Sequence, residues 1–277
     1  MTAALRIARD EVTRRWPLLL AALAIGLLAF AIAAATSDPV YSELNSPRYS
    51  ELANTCMFGA IVLSWGAAFV IGMTLVGRPL HDGRLAFYFT RPVGGYAIAA
   101  GKIGGGLALV LAMELALIAP LVVFDSETLG ESGAFAIAMA VVFLAAGLAV
   151  GILARSRSRW FLVDATGATT ASLIALAMFA RIDATYQQIF DALRWRDAPT
   201  NASLSQEEAW TLLHRADLLV RGVIGVAVAA VFAAVVVAVA TGRTDRERVH
   251  RALTITLWSS VVITTTIGLA IARWGFL

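Results

Sequence analysis

The chain has few of the residues on which most site chemistry depends. Among its 277 residues are one cysteine, Cys56, three histidines and a single lysine, Lys102. One cysteine cannot form an internal disulfide and leaves no partner for a thiolate metal site. The histidines, His81, His214 and His250, all fall outside the apolar runs. The sequence therefore does not support a histidine-based metal or proton-transfer site within a membrane.

Charge is also scarce, since only 15% of the residues are charged, 59% are hydrophobic and the mean hydropathy is +0.78. A soluble domain carries roughly a quarter charged residues. The net charge of +3 is dispersed between apolar runs, so it does not indicate a nucleic-acid partner. Apolar runs of about 20 residues, the length that crosses roughly 30 Å of hydrocarbon, recur from end to end. Residues 1–277 are therefore predicted to form one all-α, polytopic transmembrane helical bundle.

Seven apolar runs predict six to seven spans, at about 17–35, 57–76, 96–124, 134–154, 161–180, 219–240 and 253–272. The end of the first run resembles a signal-peptide cleavage region. A retained signal anchor is favoured, because this run is too long for a typical signal and six more runs follow. Before it, residues 1–16 predict an amphipathic interfacial helix on the membrane surface.

Arginine and lysine decide the orientation. They concentrate in residues 1–16, 77–102, 155–159 and 243–251, whereas the short loop 125–133 has none. Positive charge favours the cytoplasmic side. The sequence therefore predicts a cytoplasmic N-terminus, with the loop between spans two and three also in the cytoplasm.

That loop, residues 77–96, is the most informative polar segment. Asp82 is expected to cap a short helix that starts near Gly83, and Pro92 to stop it. One face of this helix would be apolar or aromatic, with Leu85, Phe87, Tyr88 and Phe89. From the residues alone, an interfacial anchor and a docking surface for a partner are equally good interpretations.

The order of motifs in this loop resembles a known family. It reads His81-Asp82-Gly83, an apolar helix over 85–90, then Arg91-Pro92-Val93, and Gly101-Lys102 at the start of the next span. It is similar to the membrane-spanning permease subunits of type-2 ATP-binding-cassette (ABC-2-type) exporters. The resemblance covers about the first 240 residues. The chain departs from the family in its acidic element, which usually contains Glu, and in its seventh span.

The resemblance implies that the loop is a coupling helix that docks on a separate cytoplasmic ABC ATPase. The expected contact residues are Arg78, Asp82, Arg84, Phe87, Tyr88, Phe89 and Arg91. Two ATPase copies, which would hold ATP and magnesium, and a second permease copy would complete a transporter in the bacterial plasma (inner) membrane. A homodimer is expected, and a heterodimer with a paralogue fits the sequence equally well. The chain itself would be neither an enzyme nor a cofactor-binding protein. Gly101-Lys102 does not form a phosphate loop. Tyr96 stands at the position where the motif requires its first glycine, and Ile103 follows the lysine where Ser or Thr is required.

Within the spans, small and acidic residues stand out. Gly101 with Gly105, and Gly147 with Gly151, form Gly-x-x-x-Gly pairs that predict close span packing, within the chain in preference to dimerisation. Two acids lie in the apolar runs. Glu114 is balanced between a hydrogen-bonded buried carboxyl and a substrate or proton site on a pathway. Asp164 is expected to form a salt bridge with Arg155, Arg157 or Arg159.

Residues 181–218 predict an extracytoplasmic helical loop with two short amphipathic helices. The second follows a capping box formed by Ser205 and Glu208. The loop could cover a pathway exit or rest on the outer leaflet. Among rival functions, a retinal photosensor is excluded because the last span has no lysine. No catalytic constellation indicates an intramembrane enzyme. A non-transporting assembly or regulatory protein that docks a different cytoplasmic partner remains the alternative.

Overall fold

The computed structural model describes residues 2–36, 51–90, 93–122, 126–154, 163–164, 166–167, 206–242 and 245–275. These residues are almost entirely helical and contain no strand, which confirms the all-α class for this part of the chain. The helices are α1 Ala3–Arg14, α2 Pro17–Thr36, α3 Glu51–Leu75, α4 Gly77–His81, α5 Leu85–Phe89, α6 Gly95–Val122, α7 Ser126–Leu153, α8 Gln206–Gly242 and α9 Arg246–Gly275.

Four helical segments among the described residues are long and apolar enough to cross a membrane. They are Thr55–His81, Gly95–Pro120, Gly133–Leu153 and Ile224–Gly242. Ala3–Arg14 and Pro17–Ile32, bent by 54° at the break between them, together make a possible fifth span. Helices suit lipid because they satisfy every interior backbone hydrogen bond within one segment. The chain is therefore an integral membrane protein. The count of six to seven spans stays a prediction, and most of the fifth run lies outside the described residues.

The chain divides into two compact units. The first comprises residues 1–158 and 231–253, and the second comprises residues 159–230 and 254–277. In the first unit, α3 packs closely along α7 because glycines remove the side chains between them. A Cβ atom on Gly151 would lie 2.6 Å from the Met73 carbonyl oxygen, and one on Gly147 would collide with the Phe69 carbonyl. This Gly-x-x-x-Gly pair thus faces another helix of the same chain.

Trp65 adds a second contact between α3 and α7. Its indole Nε1 donates a hydrogen bond to the Ala136 carbonyl oxygen at 3.1 Å. Its ring stacks on Phe143 at a centroid distance of 5.8 Å and meets Phe135 edge-on at 6.1 Å. Trp65 is half-buried, and this hydrogen bond and the two ring contacts help to fix how α3 lies on α7.

The prediction of a second short helix after Ser205 was wrong. Residues 206–218 and the sixth apolar run form one continuous helix, α8, of 37 residues. No proline lies between Gln206 and the apolar run, so nothing in the backbone chemistry ends the helix there. Residues 181–205, which include the first predicted helix, lie outside the described residues.

In the second unit, Asp164 is buried and its carboxylate accepts hydrogen bonds. The Thr254 hydroxyl donates at 2.9 Å and the Trp258 indole Nε1 donates at 3.0 Å. Both donors belong to α9, so these hydrogen bonds connect α9 to Asp164 of the fifth apolar run. The three arginines expected to pair with it lie outside the described residues.

Candidate functional site

The polar segment between α3 and α6 folds into two single-turn helices joined by a sharp turn. Gly83 has a φ of +70°, a conformation that glycine adopts at little cost, and it follows the last residue of α4 and Asp82. The chain turns at Gly83, and α5 begins two residues later, at Leu85. The Thr90 hydroxyl then donates to the Phe87 carbonyl oxygen at 2.8 Å, at the end of α5.

The prediction that Asp82 caps the second short helix was wrong. Asp82 occupies the C-cap position of α4, and its carboxylate lies 3.6 Å from Nε of Arg78 on that same helix. The N-cap position of α5 belongs to Arg84, whose side chain makes no capping hydrogen bond. The left-handed turn at Gly83 is the reason, because it separates the carboxylate from the first N–H groups of α5.

The predicted contact residues divide by exposure. Arg78, Asp82, Arg84 and Phe87 are exposed, and Phe87 has 58% of its surface accessible. We call these four residues the exposed loop surface. Tyr88 and Phe89 are half-buried, and Arg91 lies outside the described residues. Exposed aromatic and arginine side chains are the residue types enriched at the energetic centre of protein interfaces.

Two leucines hold this segment against the rest of the first unit. Leu80 of α4 and Leu85 of α5 are buried, with 6% and 1% of their surfaces accessible. At the start of α4, Gly77 lies against the backbone of Gly151 on α7, where a Cβ would collide. The segment is therefore packed on the membrane helices along one side and exposed along the other.

Beneath the exposed loop surface lies a chain of polar contacts that the sequence did not predict. The Lys102 ammonium at the start of α6 lies 4.9 Å from the centre of the Tyr88 ring and forms a buried ion pair with Oε1 of Glu11 on α1. The other Glu11 oxygen is 3.7 Å from Arg15, which donates to the Thr74 hydroxyl at 3.2 Å. We call this set the polar chain.

The polar chain links four helices. Tyr88 belongs to α5, Lys102 to α6, Glu11 to α1 and Thr74 to α3. A buried ion pair is geometrically demanding, because separating its members leaves an uncompensated charge in a low-dielectric interior. Through Tyr88 the short helix α5 is thereby linked to α6 and α1, and through Arg15 and Thr74 to α3.

Gly101 and Gly105 explain how Glu11 reaches Lys102. Cβ atoms on these glycines would lie 2.6 Å and 2.8 Å from the carbonyl oxygens of Ala4 and Ala8 on α1. The pair was expected to pack against another span. Its partner is instead the amphipathic N-terminal helix, which comes backbone to backbone with α6 and carries Glu11 to the buried ammonium.

A further contact with α4 comes from the start of α9. The Arg246 guanidinium donates to the carbonyl oxygen of His81, at the last residue of α4. Carbonyls at a helix end lack partners within the helix, so the arginine satisfies one of them. Asp245 caps α9 by accepting from the backbone N–H groups of Glu247 and Arg248 at 3.0 Å and 3.2 Å. This cap fixes the start of α9, where Arg246 lies.

Sequence reasoning missed Glu11, Lys102 and Arg246 as members of this site. Lys102 offered a usable signal, because a lone lysine at the start of an apolar run must find an anion or reach water. Glu114, the expected pathway residue, lies elsewhere on α6, is buried and bonds Ser64 on α3. Among the residues described, no cluster of three or more His, Cys, Asp or Glu side chains could hold a metal ion.

Models of protein families, curated proteins and solved structures yield no match to this sequence or this fold.

Proposed function

We propose that this chain is the permease subunit of an ABC-type transporter, in which a separate ATPase drives export or extraction of a substrate across the membrane. One observation carries the proposal. The loop between the candidate spans Thr55–His81 and Gly95–Pro120 exposes Phe87 and charged side chains. The polar chain links the other side of this loop to both spans. That is the arrangement a docking element needs if it is to move the spans to which it is attached.

A force applied to the exposed loop surface would pass to the membrane helices through α4 and α5. A partner that closes on the exposed loop surface pushes on α4 and α5, which are each one turn long and cannot absorb much motion by bending. The buried Leu80 and Leu85 and the contact of the Lys102 ammonium with the Tyr88 ring oppose sliding of these helices over the bundle. Displacement therefore passes to α3, α6 and α1, a rigid-body mode common in switching proteins.

The proposal has consequences for partners and topology. The ATPase partner supplies ATP, magnesium and the hydrolytic site, and two copies of it act on a homodimer of this chain. The exposed loop surface lies in the cytoplasm together with the N-terminus, and six to seven spans cross a bacterial inner membrane. This topology agrees with the distribution of arginine along the chain.

The experiment compares two single aromatic truncations. Phe87→Ala removes the aromatic ring of the exposed loop surface, whereas Phe58→Ala removes a similarly exposed ring, 65% accessible, from the apolar face of α3. Tagged full-length chain is purified from membranes, and ATP hydrolysis of the copurified complex is measured. Loss of a central aromatic anchor weakens binding by about 2 kcal/mol, or about 30-fold. We therefore expect Phe87→Ala, and not Phe58→Ala, to abolish the copurified ATPase activity.

Two results would contradict the proposal. A copurified partner that depends on Phe87 but hydrolyses no ATP would favour the alternative, an assembly or regulatory protein that docks a different cytoplasmic partner. Separately, a cysteine placed at Thr90 in a Cys56→Ser background reports the side of the membrane. Labelling of that cysteine by an impermeant reagent from outside intact cells would exclude a cytoplasmic ATPase as the partner.

A further inference from the structure

Glu114 is a carboxyl group placed where the membrane offers it almost nothing polar. It lies in the candidate span Gly95–Pro120, and only 1% of its surface is accessible. Its Oε1 atom is hydrogen-bonded to the hydroxyl of Ser64, which is itself 6% accessible and lies on α3. Its Oε2 atom has no hydrogen-bond partner among the residues that the structure describes.

Among the described helices that pack against α6, α2, α3 and α7 contain no Lys, Arg or His that could serve as a countercharge. Residues 17–36, 55–76 and 133–154 of α2, α3 and α7 contain no Asp, Glu, Lys, Arg or His, and Cys56 is the one titratable side chain among them. On α6 itself the charged neighbour is Lys102, about 18 Å away along the axis at roughly 1.5 Å per residue. Lys102 is paired with Glu11, and Arg15 also lies on that side of α6.

The number of protons available to the hydrogen bonds of Ser64 indicates the protonation state of Glu114. The Ser64 hydroxyl has one proton and lies 2.9 Å from the carbonyl oxygen of Ile61, a carbonyl that has none to give. If that proton points to Ile61, then the bond to Glu114 requires a proton from the carboxyl. A protonated Glu114 completes a directed series in which the carboxyl donates to Ser64 and Ser64 donates to Ile61.

The ionised alternative fits the same geometry poorly. A carboxylate has two charged oxygens that together accept about four hydrogen bonds, and Ser64 could offer it one proton at the expense of Ile61. Oε2 would then carry charge in the hydrocarbon layer without a donor among the described residues. Both oxygens of Asp164, by contrast, accept from hydrogen-bond donors.

We propose that Glu114 is a proton-binding site in the membrane interior, where the protonated carboxyl donates to Ser64 and so ties α3 to α6. Release of the proton to water converts the carboxyl to a carboxylate, which can no longer donate to Ser64 and can accept a hydrogen bond from Ser64 only at the expense of Ile61. Because the group is buried between α3 and α6, water reaches it only when these helices separate. Proton occupancy and the closed contact of the two helices therefore depend on each other. This inference does not require an ATPase partner.

Infrared spectroscopy of the intact chain in lipid bilayers near neutral pH tests the protonation state directly. A protonated carboxylic acid gives a carbonyl stretching band well separated from that of a carboxylate. We expect the wild-type protein to show such a band and Glu114→Gln to lack it, since the amide keeps the shape and an N–H donor toward Ser64. Asp164→Asn serves as the matched control and should leave the band in place.

Ser64→Ala provides a second measurement that does not depend on replacing the acid. Removal of the hydroxyl deprives the carboxyl proton of its acceptor, so the band should shift to the higher frequency of a free carboxylic acid. Absence of the band in the wild-type protein would overturn the proposal, whether or not any variant folds. Loss of the band in Asp164→Asn with its retention in Glu114→Gln would also overturn it, and so would a band that Ser64→Ala leaves unmoved.

Discussion

The ion pair between Glu11 and Lys102 allows a quantitative test of how the N-terminal helix is held. The two side chains are only 9% and 3% exposed. Removing one member of a buried pair leaves the other charge uncompensated, which costs about 3–5 kcal/mol. For Glu11→Gln we expect a loss near 3 kcal/mol, because the Gln carbonyl still accepts from Lys102 and the Tyr88 ring remains 4.9 Å from the ammonium.

Lys102→Met should cost less, about 2 kcal/mol. The carboxylate of Glu11 keeps Arg15 at 3.7 Å, so its charge is not left alone. The double variant, with Glu11→Gln and Lys102→Met, buries neither the ion pair nor a single charge at the Lys102 position. Its loss in the free energy of unfolding should therefore be smaller than the sum of the two single losses. Contacting charged residues show coupling of about 0.5–3 kcal/mol, and we expect about 2 kcal/mol here.

The assay is unfolding of the purified full chain in mixed micelles titrated with a denaturing detergent, followed by the fluorescence of its tryptophans. An exposed pair serves as the control. Arg78 and Asp82 are 3.6 Å apart, but their side chains are 63% and 32% exposed, so their cycle should give a coupling below about 0.5 kcal/mol. A coupling equally small for Glu11 and Lys102 would refute the claim that a buried ion pair holds α1 on α6.

Two glycine substitutions test the close helix contacts. Gly147→Ala places a methyl group on a backbone carbonyl of α3 and should cost about 1–3 kcal/mol in the same unfolding assay. Gly66→Ala, which meets nothing within 4 Å, should leave stability unchanged, and equal effects would argue against the α3–α7 contact. Gly105→Ala should push α1 from α6 and speed amide hydrogen exchange in α1 by about tenfold, a local cost of about 1.4 kcal/mol. Gly104→Ala has open space around it and should not change that exchange; similar rates in both variants would contradict the packing of α1.

The sequence predicted the helices well because lipid leaves the backbone little choice. A run of about 20 apolar residues such as 57–76 must be helical to satisfy its own N–H and C=O groups, and α3 contains all of this run except Val76. Helix ends were harder to predict. Around Asp82 the capping chemistry is compatible with the end of one helix or the start of the next, and only the backbone at Gly83 decides between them.

The candidate site was predictable in part. The exposure of Phe87 and Arg84 agrees with a short polar segment whose apolar residues alternate between a packed and an open side. The pairing of Glu11 with Lys102 joins residues 91 positions apart, and no local pattern encodes such a contact. Gly101 and Gly105 predicted that another helix packs closely here, but not which helix. A glycine pair provides a smooth surface on which any helix can lie.

The pairing of Glu11 with Lys102 also bears on the order in which the protein is made. The glutamate leaves the ribosome 91 residues before its lysine. At about 5–20 residues per second, that interval is roughly 5–20 s. Until Lys102 is made, Glu11 lacks the lysine with which it pairs, and the arginines of α1 favour a place for this helix at the boundary of water and lipid. Glu11 can therefore form its buried ion pair only after the third apolar run, which carries Lys102, has been made.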